Sequence, residues 1–356
     1  MSTILSSPTT VTIKAPGTSA LSTLAASMAA GTWARLNASN QDGVLGVGSV
    51  SHSMIGYCNS MPWNPISQVI EIVGMDHNYG RQRHVRYVEA ANSFVLVADD
   101  DGLGSQVQHG YDHNSVNPNT GELYHRYYSG FSGRVRVYKK AHNGSSFVEI
   151  PSVTANPEQV AIGSCWWSGT FAGGGAQGQL VVFNSGNAYG NANDGEIMAY
   201  NPLTNAWFFR QAGMAPNYGS GDTYHSLIEY SAKKNVAVYG GGNAAPSKLW
   251  RLNSDRSVTT MPSVPSGKGV GIERGRLVED PVTGNFLLFS AGELWELNPS
   301  GSGTWTRQTG SRDPPSGVGI PGSQFGICTS IPEYGVVAAI TQPGATGGTF
   351  YLYKHA

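Results

Sequence analysis

Three histidines open corresponding segments of the chain. His52, His113 and His225 each begin a short segment that we expect to be a strand, and Trp167 and Arg276 hold the same place in two further segments. Equivalent positions of a ring-shaped repeat converge on its axis, so three imidazoles there are candidate ligands for Zn²⁺ or Cu²⁺. Two other interpretations stay open, hydrogen bonding within a watery channel and direct contact with a ligand. We expect no bound metal and no cofactor.

The same positions suit a second chemistry. Abstracting a proton next to a carboxylate needs an acid, a base and a positive charge that stabilises the developing enolate. The candidate residues for these roles are His113, Tyr224, His225 and Arg276, with Arg210 as a further cation. Trp166 and Trp167 are candidates for stacking on sugar rings. Together they describe a polysaccharide lyase acting on uronic-acid polymers.

The elements that position these residues form a repeat of about 50 residues. One part of the repeat is an aromatic-rich strand, a polar turn and another strand. It occurs at 83–97, 134–150, 196–210, 248–261 and 293–308, and its first strand alone recurs at 349–356. A second part is an apolar run flanked by glycine. It occurs at 68–74, 178–186, 235–242, 285–292 and 335–341, with a less apolar version at 121–128.

Short apolar strands bounded by turns such as NPNTG (117–121) and DPVTG (280–284) indicate all-β structure. Four strands at this period predict a single six-bladed β-propeller, with seven blades as the alternative. The pattern Thr-Trp-x-Arg occurs at both 32–35 and 304–307. We therefore expect residues 32–37 to pair with the last blade and to close the domain 32–356, which hides an exposed strand edge.

Residues 1–31 differ in composition from the repeats. TTVTIKA (9–15) alternates like one strand, and SALSTLAASMAAG (19–31) has the composition of a short helix. Thr18 or Ser19 is the expected N-cap and Gly31 the expected C-cap. We interpret this segment as an N-terminal arm that either covers the domain or attaches it to a partner.

The repeats resemble those of kelch-type propellers. The resemblance is carried by NVAVYGGG (235–242) followed by KLWRLN, and by NFLLFSAG (285–292) followed by ELWELN and TWTRQ; of these, only 240–242 has an intact glycine pair. Kelch-type propellers serve as enzymes, glycan binders and scaffolds, so the resemblance implies a fold and little chemistry. The Tyr224–His225 pair resembles the copper-ligand strand of galactose-oxidase-type kelch enzymes, but the remaining ligands of that site have no counterpart that we can place.

Composition narrows the classes of partner. The chain has 22 basic and 23 acidic residues, a net charge of −1 and only 13% charged residues. It lacks the basic footprint of a nucleic-acid-binding protein and an apolar run long enough to span a membrane, and we expect no secretory signal. Its three cysteines, Cys58, Cys165 and Cys328, form neither a disulfide framework nor a metal-binding pair. We interpret them as ordinary thiols of the core or channel.

Two function classes remain. The first is a non-catalytic structural or recognition propeller, a bacteriophage tail or fibre-type virion component that binds a host glycan or a virion protein. Residues 1–31 resemble the N-terminal segments of phage-borne propellers, and they would be the attachment surface for other virion proteins. The second is the polysaccharide lyase described above, located in a virion or outside the cell. A homo-oligomer is compatible with both, and an intracellular adaptor is less favoured because no partner-recruiting domain accompanies the repeats.

Overall fold

The computed structural model describes most of the chain, with gaps between its segments. The described residues are 17–46, 54–55, 58–75, 82–99, 103, 110–127, 134–154, 163–175, 177–184, 195–218, 225–243, 245–271, 274–318, 327–341 and 348–356. Two site residues predicted from the sequence, His52 and Tyr224, lie outside them, as does the first half of the arm.

Three elements precede the first blade: helix α1 (Ala20–Ser27), strand β1 (Thr32–Leu36) and the short helix α2 (Gln41–Leu45). Ser19 caps α1, since its hydroxyl accepts a hydrogen bond from the Ser22 amide at 3.0 Å. The helix ends at Ser27, earlier than the expected stop at Gly31. Met28 already has extended backbone and buries its side chain, while Gly31, with φ +73°, forms the turn into β1.

The remaining chain forms blades of four or five strands. Blade one has β2 (Trp63–Asn64), β3 (Val69–Gly74), β4 (Arg83–Val88) and β5 (Ser93–Asp99). Blade two has β6 (Asn114–Val116), β7 (Leu123–Tyr127) and β8 (Arg134–Lys140), and both β9 (Val148–Glu149) and β10 (Val153–Thr154) pair with β8. Blade three has β11 (Gly163–Trp167), β12 (Gln179–Asn184), β13 (Glu196–Asn201) and β14 (Ala206–Ala212).

Blade four has β15 (Leu227–Ser231), β16 (Val236–Gly240), β17 (Leu249–Asn253) and β18 (Val258–Thr260). Blade five has β19 (Gly275–Glu279), β20 (Phe286–Ser290), β21 (Glu293–Asn298) and β22 (Thr304–Gln308). Blade six has β23 (Ile327–Ile331), β24 (Val336–Ile340) and β25 (Phe350–Lys354), and β1 is its outer strand. The predicted six-bladed propeller is confirmed, and the seven-bladed alternative is wrong.

The first strands of the blades surround the central axis. Each first strand contacts the next one around the ring: β6 contacts β11, β11 contacts β15, β15 contacts β19, β19 contacts β23, and β23 contacts β2. Parallel bridges join Cys58 to Tyr111 and Ser60 to Cys328, so the segments leading into these strands run in the same direction around the ring. One face of the ring therefore collects the starts of the first strands, and the other face collects their ends.

Most seams between blades are apolar. Between blades three and four, for example, Phe183, Ile197, Ala237, Tyr239 and Trp250 are buried together. Burial of this apolar surface is the main stabilisation of a propeller, whose blades share few backbone hydrogen bonds.

The seam between blades one and two carries a buried polar network instead. Glu71 accepts hydrogen bonds from Arg86 at 2.8 Å and His84 at 2.7 Å, and Lys140 lies 3.4 Å from the other ring nitrogen of His84. Burial acts to raise the pKa of Glu71, but the hydrogen bond from His84 and the charge of Arg86 hold that pKa below its usual value. Every charge in this seam has a partner, as burial requires.

Strand β1 closes the ring. It pairs antiparallel with β25, with Thr32 opposite Lys354 and Leu36 opposite Phe350. Trp33 stacks on Tyr353 with ring centroids 4.7 Å apart. The ladder leaves no free edge on β25, which is the edge that would otherwise recruit another chain.

The described half of the arm packs on its own propeller. Leu21 and Ala25 of α1 are fully buried in the core shared by blades one and six. Glu89 accepts hydrogen bonds from the hydroxyls of Ser19 and Tyr334, the latter at 2.7 Å. A helix of this length is marginal alone in water, so these contacts account for its order.

Candidate functional site

The structure places three of the predicted site residues at one level of the ring. His113 immediately precedes β6, His225 lies two residues before β15, and Arg276 is the second residue of β19. Each of the three is at most 7% exposed. Trp167 does not share this level, because it is the last residue of β11 and not the first. It packs against Phe171 and Tyr230 in the core, so its expected place at the mouth of the channel is wrong.

Tyr111, which the sequence analysis did not select, contacts the rings of both histidines. The ring centroid of Tyr111 lies 5.1 Å from that of His113 and 5.7 Å from that of His225. Tyr111 and His225 both have left-handed backbone, with φ +39° and +70°. Such strain is uncommon outside glycine and is found at functional sites. Tyr111 directly precedes an aspartate and a histidine, a local signal that could have drawn attention to it.

A hydrogen bond from Arg126 fixes the protonation and the tautomer of His113. The guanidinium of Arg126 donates to its Nε2 at 3.1 Å, so this nitrogen is an acceptor and the ring is neutral with its proton on Nδ1. Nε2 is thereby unavailable for a metal in this arrangement. Among the described residues no group of three or more histidines, cysteines or carboxylates is arranged to hold a metal ion.

The opposite face, where the first strands end, opens into a cavity of about 470 Å³ along the axis. All six blades contribute residues of their first strands, and blade five contributes Glu279 alone. The polar lining residues are Asn59, Ser60, Asp112, Asn114, Ser115, Asn119, Ser164, Ser168, Glu229, Glu279, Thr329, Ser330 and Glu333. Among the residues that the structure describes, its lining includes four carboxylates and no lysine, arginine or histidine.

Asp112 forms the floor of this cavity. Its Oδ1 accepts a hydrogen bond from the Asn59 amide at 3.0 Å, and its Oδ2 accepts one from the backbone N–H of Ile228 at 2.7 Å. The second bond links blade two to blade four and passes over Gly163 of blade three. A Cβ on Gly163 would lie 2.5 Å from the Ile228 nitrogen and 2.7 Å from Oδ2, so this crossing requires glycine.

The protonation of Asp112 is set by its surroundings. Burial raises its pKa to about 7, against the opposing effects of the hydrogen bonds from Asn59 and Ile228 and the positive charge of Arg276. Asp112 thus changes charge near neutral pH while it is held between blades.

Two further carboxylates join blades four and five. Glu229 accepts a hydrogen bond from the backbone N–H of Glu279 at 3.1 Å. The Glu279 carboxylate accepts hydrogen bonds from the Ser231 hydroxyl and from backbone N–H groups of Lys233 and Ala232. Burial raises the pKa of Glu279 to about 7, and burial together with repulsion by Asp112 raises the pKa of Glu229 well above its usual value. Glu229 is only partly buried and so is accessible from the cavity.

Aromatic and thiol groups complete the wall. Trp63 donates its indole N–H to Glu333 at 2.8 Å, and Trp166 stacks on Tyr124 with centroids 5.3 Å apart. Both indoles are only 7% exposed, so they shape the wall and offer little ring face for stacking on a sugar. Cys165 and Cys328, also 7% exposed, line the cavity as free thiols.

No protein-family model matches the chain, and no curated protein is significantly similar to it. Among solved structures, the chain is similar to an α-L-arabinanase of Penicillium chrysogenum complexed with arabinobiose, at 11% identity over 82% of this chain and 91% of that one, with a TM-score of 0.48. It is also similar to virginiamycin B lyase from Staphylococcus aureus, at 11% identity over 91% and 88%, with a TM-score of 0.43. Sqt1 of Saccharomyces cerevisiae is similar at 11% identity over 82% and 69%, with a TM-score of 0.46. These similarities are too low to indicate an activity.

The strand ladders described above therefore define the class of this protein, a six-bladed β-propeller with an acid-lined axial cavity. No helix among the described residues is long and apolar enough to cross a membrane.

Proposed function

We propose that the chain is a non-catalytic binding propeller that takes a hydroxyl-rich ligand without negative charge, such as the end of an oligosaccharide, into its axial cavity. The observation that carries this proposal is the lining: hydroxyls, carboxamides and four carboxylates around about 470 Å³, with no cationic side chain among the described lining residues. Sites of this volume hold small ligands, and their few polar groups set specificity. Sugar hydroxyls donate well to carboxyl and carboxamide oxygens.

The lyase alternative has its own supporting observation, because His113, His225 and Tyr111 converge, with Arg126 bonded to His113. Two features favour binding over that alternative. All four of these side chains are at most 7% exposed, and none of them lines the axial cavity. A uronate in the cavity would meet carboxylates and, in the described lining, no cation, although a lyase needs a positive charge at that point.

The proposed role as a virion component stays a prediction from the sequence. It takes residues 1–31 as the attachment surface for other virion proteins. The described half of the arm packs on blades one and six of its own propeller, so its order needs no second protein. We propose a virion as the setting of this binding propeller, with attachment through residues 1–31 as the part that can be tested.

A panel of neutral and acidic oligosaccharides, titrated by calorimetry, tests the binding proposal. We expect a neutral or cationic oligosaccharide to bind and the acidic ones not to. Ala232→Trp should abolish binding, because Ala232 lines the cavity and the indole would fill it. Ala206→Trp, at an exposed site on β14, is the matched control and should bind normally. Release of unsaturated products from a uronic-acid polymer, lost in His113→Ala, would overturn the proposal in favour of the lyase.

A further inference from the structure

The carboxylates of the axial cavity are held by neutral donors. Asp112 is bonded by a carboxamide and a backbone amide, Glu229 by a backbone amide, and Glu279 by a hydroxyl and two backbone amides. Such donors position a carboxylate but do not neutralise it. Arg276 acts on Asp112 through its charge, yet it is not among the residues that line the cavity.

Asn59 supplies a second, independent observation. Its Nδ2 donates to Asp112, which fixes the orientation of the amide and identifies Oδ1 as its other end. Asn59 lines the cavity and is 5% exposed, and within the described part of the chain its Oδ1 accepts no hydrogen bond. A buried acceptor without a donor is costly, so the site is one donor short.

Two of the four carboxylates, Glu229 and Glu333, are only partly buried, and the Glu333 carboxylate is already bonded to the Trp63 indole in the wall of the cavity. Asp112 and Glu279 are 2% and 8% exposed, and their oxygens are engaged between blades. Glu229 is more exposed, and the hydrogen bond from Glu279 occupies its Oε1. Its other oxygen is the carboxylate atom best placed to meet an incoming ligand.

We propose that the ligand of the axial cavity carries a protonated amine that pairs with Glu229, so that its preferred class is an amino sugar or another amine-bearing polyol. This inference rests on the proposed function, since it names the chemistry of the ligand in the same cavity. An ammonium group supplies a positive charge that the described part of the lining lacks, and it offers three donors, which suits a lining rich in acceptors. Loss of the pair would cost a charge-assisted hydrogen bond, equivalent to roughly a tenfold or larger loss of affinity.

Proton release is a further consequence. Burial and the neighbouring Asp112 favour the protonated form of Glu229 in the empty cavity. An ammonium group beside it favours the ionised form, so binding expels a proton to solvent. Calorimetry in two buffers of different ionisation enthalpy measures this release directly.

The test compares a trisaccharide of glucosamine with its fully N-acetylated form, at a pH where the amines are charged, and includes 1,5-diaminopentane as a simple amine. We expect the free-amine trisaccharide to bind at least about ten times more tightly, with proton release. Glu229→Gln keeps the acceptor for the Glu279 amide and should remove both the preference and the proton release. Asp255→Asn, which removes an exposed charge away from the cavity, is the control. Thermal unfolding of both variants verifies that they fold.

The outcomes separate the two proposals. Equal affinity for the two trisaccharides, or an undiminished preference in Glu229→Gln, would overturn the amine inference and leave the binding function standing. Binding of the diamine alone, lost in Glu229→Gln, would support amine recognition and overturn the carbohydrate ligand. If none of the three binds, both proposals fail.

Discussion

The indole nitrogen of Trp33 donates a hydrogen bond to the backbone oxygen of Arg312, 3.1 Å away. Trp305 makes the same contact with the oxygen of Pro262, at 3.2 Å, and Trp207 makes it with that of Pro151. In each case a tryptophan on the fourth strand of one blade reaches the outer edge of the preceding blade. Arg312 and Pro262 follow the fourth strands of blades five and four, and Pro151 lies between β9 and β10 of blade two. The closing strand β1 is therefore held to the preceding blade by the same indole-to-backbone hydrogen bond as blades whose strands are consecutive in the chain.

Trp33→Phe tests how much the hydrogen bond from Trp33 to Arg312 stabilises the closure of the ring. The change removes the donor to Arg312 and keeps most of the aromatic packing on Tyr353. We expect the free energy of unfolding to fall by about 1 kcal/mol, the usual value of one hydrogen bond, measured by chemical denaturation. Trp305→Phe removes the equivalent bond at another seam and should cost a similar amount. No loss in either variant would show that the bond is dispensable.

Gly163→Ala tests the crossing over the cavity floor. The new methyl group would lie 2.5 Å from the Ile228 nitrogen and 2.7 Å from Asp112 Oδ2, which are closer than atoms can approach. We expect a loss of about 1–3 kcal/mol of stability or a sharp fall in folded yield. Gly175→Ala is the matched control, since its methyl group meets only ordinary contacts at 3.6 Å and 3.7 Å. Equal stability of the two variants would show that the floor is not rigid.

Stability should depend on pH through the carboxyl groups of the cavity. The pKa of Asp112 is raised from 3.8 to about 7, and that of Glu279 from 4.5 to about 7. A raised carboxyl pKa means that the folded state binds the proton more tightly than the unfolded state, so stability is lost as pH rises between about 4 and 7. The lowered pKa of Glu71 acts in the opposite direction only below about 4.5. The pKa of buried His125 is lowered from 6.5 to about 3 and also acts in the opposite direction, between about pH 3 and 6.5, so it offsets part of the effect of the carboxyl groups.

We therefore expect the midpoint of thermal unfolding to be higher near pH 5 than near pH 8, by roughly a few degrees. In Asp112→Asn this difference should shrink, whatever the absolute midpoint of the variant. Asp255→Asn, at an exposed position, should keep the full difference. A midpoint that rises from about pH 5 to pH 8 in the unmodified protein would contradict the argument.

The thiols should be unreactive in the folded protein. Burial raises the pKa values of Cys58 and Cys328 to about 12, and it also raises that of Cys165. Because the thiolate is the reactive form, Ellman's reagent near pH 8 should label none of them within minutes. All three should react at once in denaturant. Rapid labelling of a native thiol would show that the seams open far more readily than the packing indicates.

Much of the fold could be predicted from the sequence because its signals are local. Second strands such as NVAVYGGG and NFLLFSAG are apolar runs between turn residues, and the structure has β16 and β20 within those bounds. First strands were harder to place, since they lie around a polar axis and lack an apolar pattern. Their register failed at Trp167, where the start of β11 at Gly163 carries no aromatic or charged residue to mark it.

The candidate site was predicted only in part, because cavities form between blades that are distant in the chain. His113, His225 and Arg276 could be selected by their repeat positions, and each lies within two residues of the start of its strand, β6, β15 or β19. The carboxylates Asp112, Glu229 and Glu279 have no common sequence signal. Asp112 matters only because its oxygen reaches the amide of Ile228, 116 residues away.

The antiparallel register of β1 and β25 also decides how the ring responds to tension. Thr32 lies opposite Lys354 at one end of the ladder, so a force applied before Thr32 and after Lys354 acts on that end alone. The hydrogen bonds then break one after another, as a zipper opens, and not together as in shear. If the protein were pulled from both ends of the chain, the β1–β25 ladder would be the first part of the ring to open. If it were pulled from one end only, that ladder would carry no load.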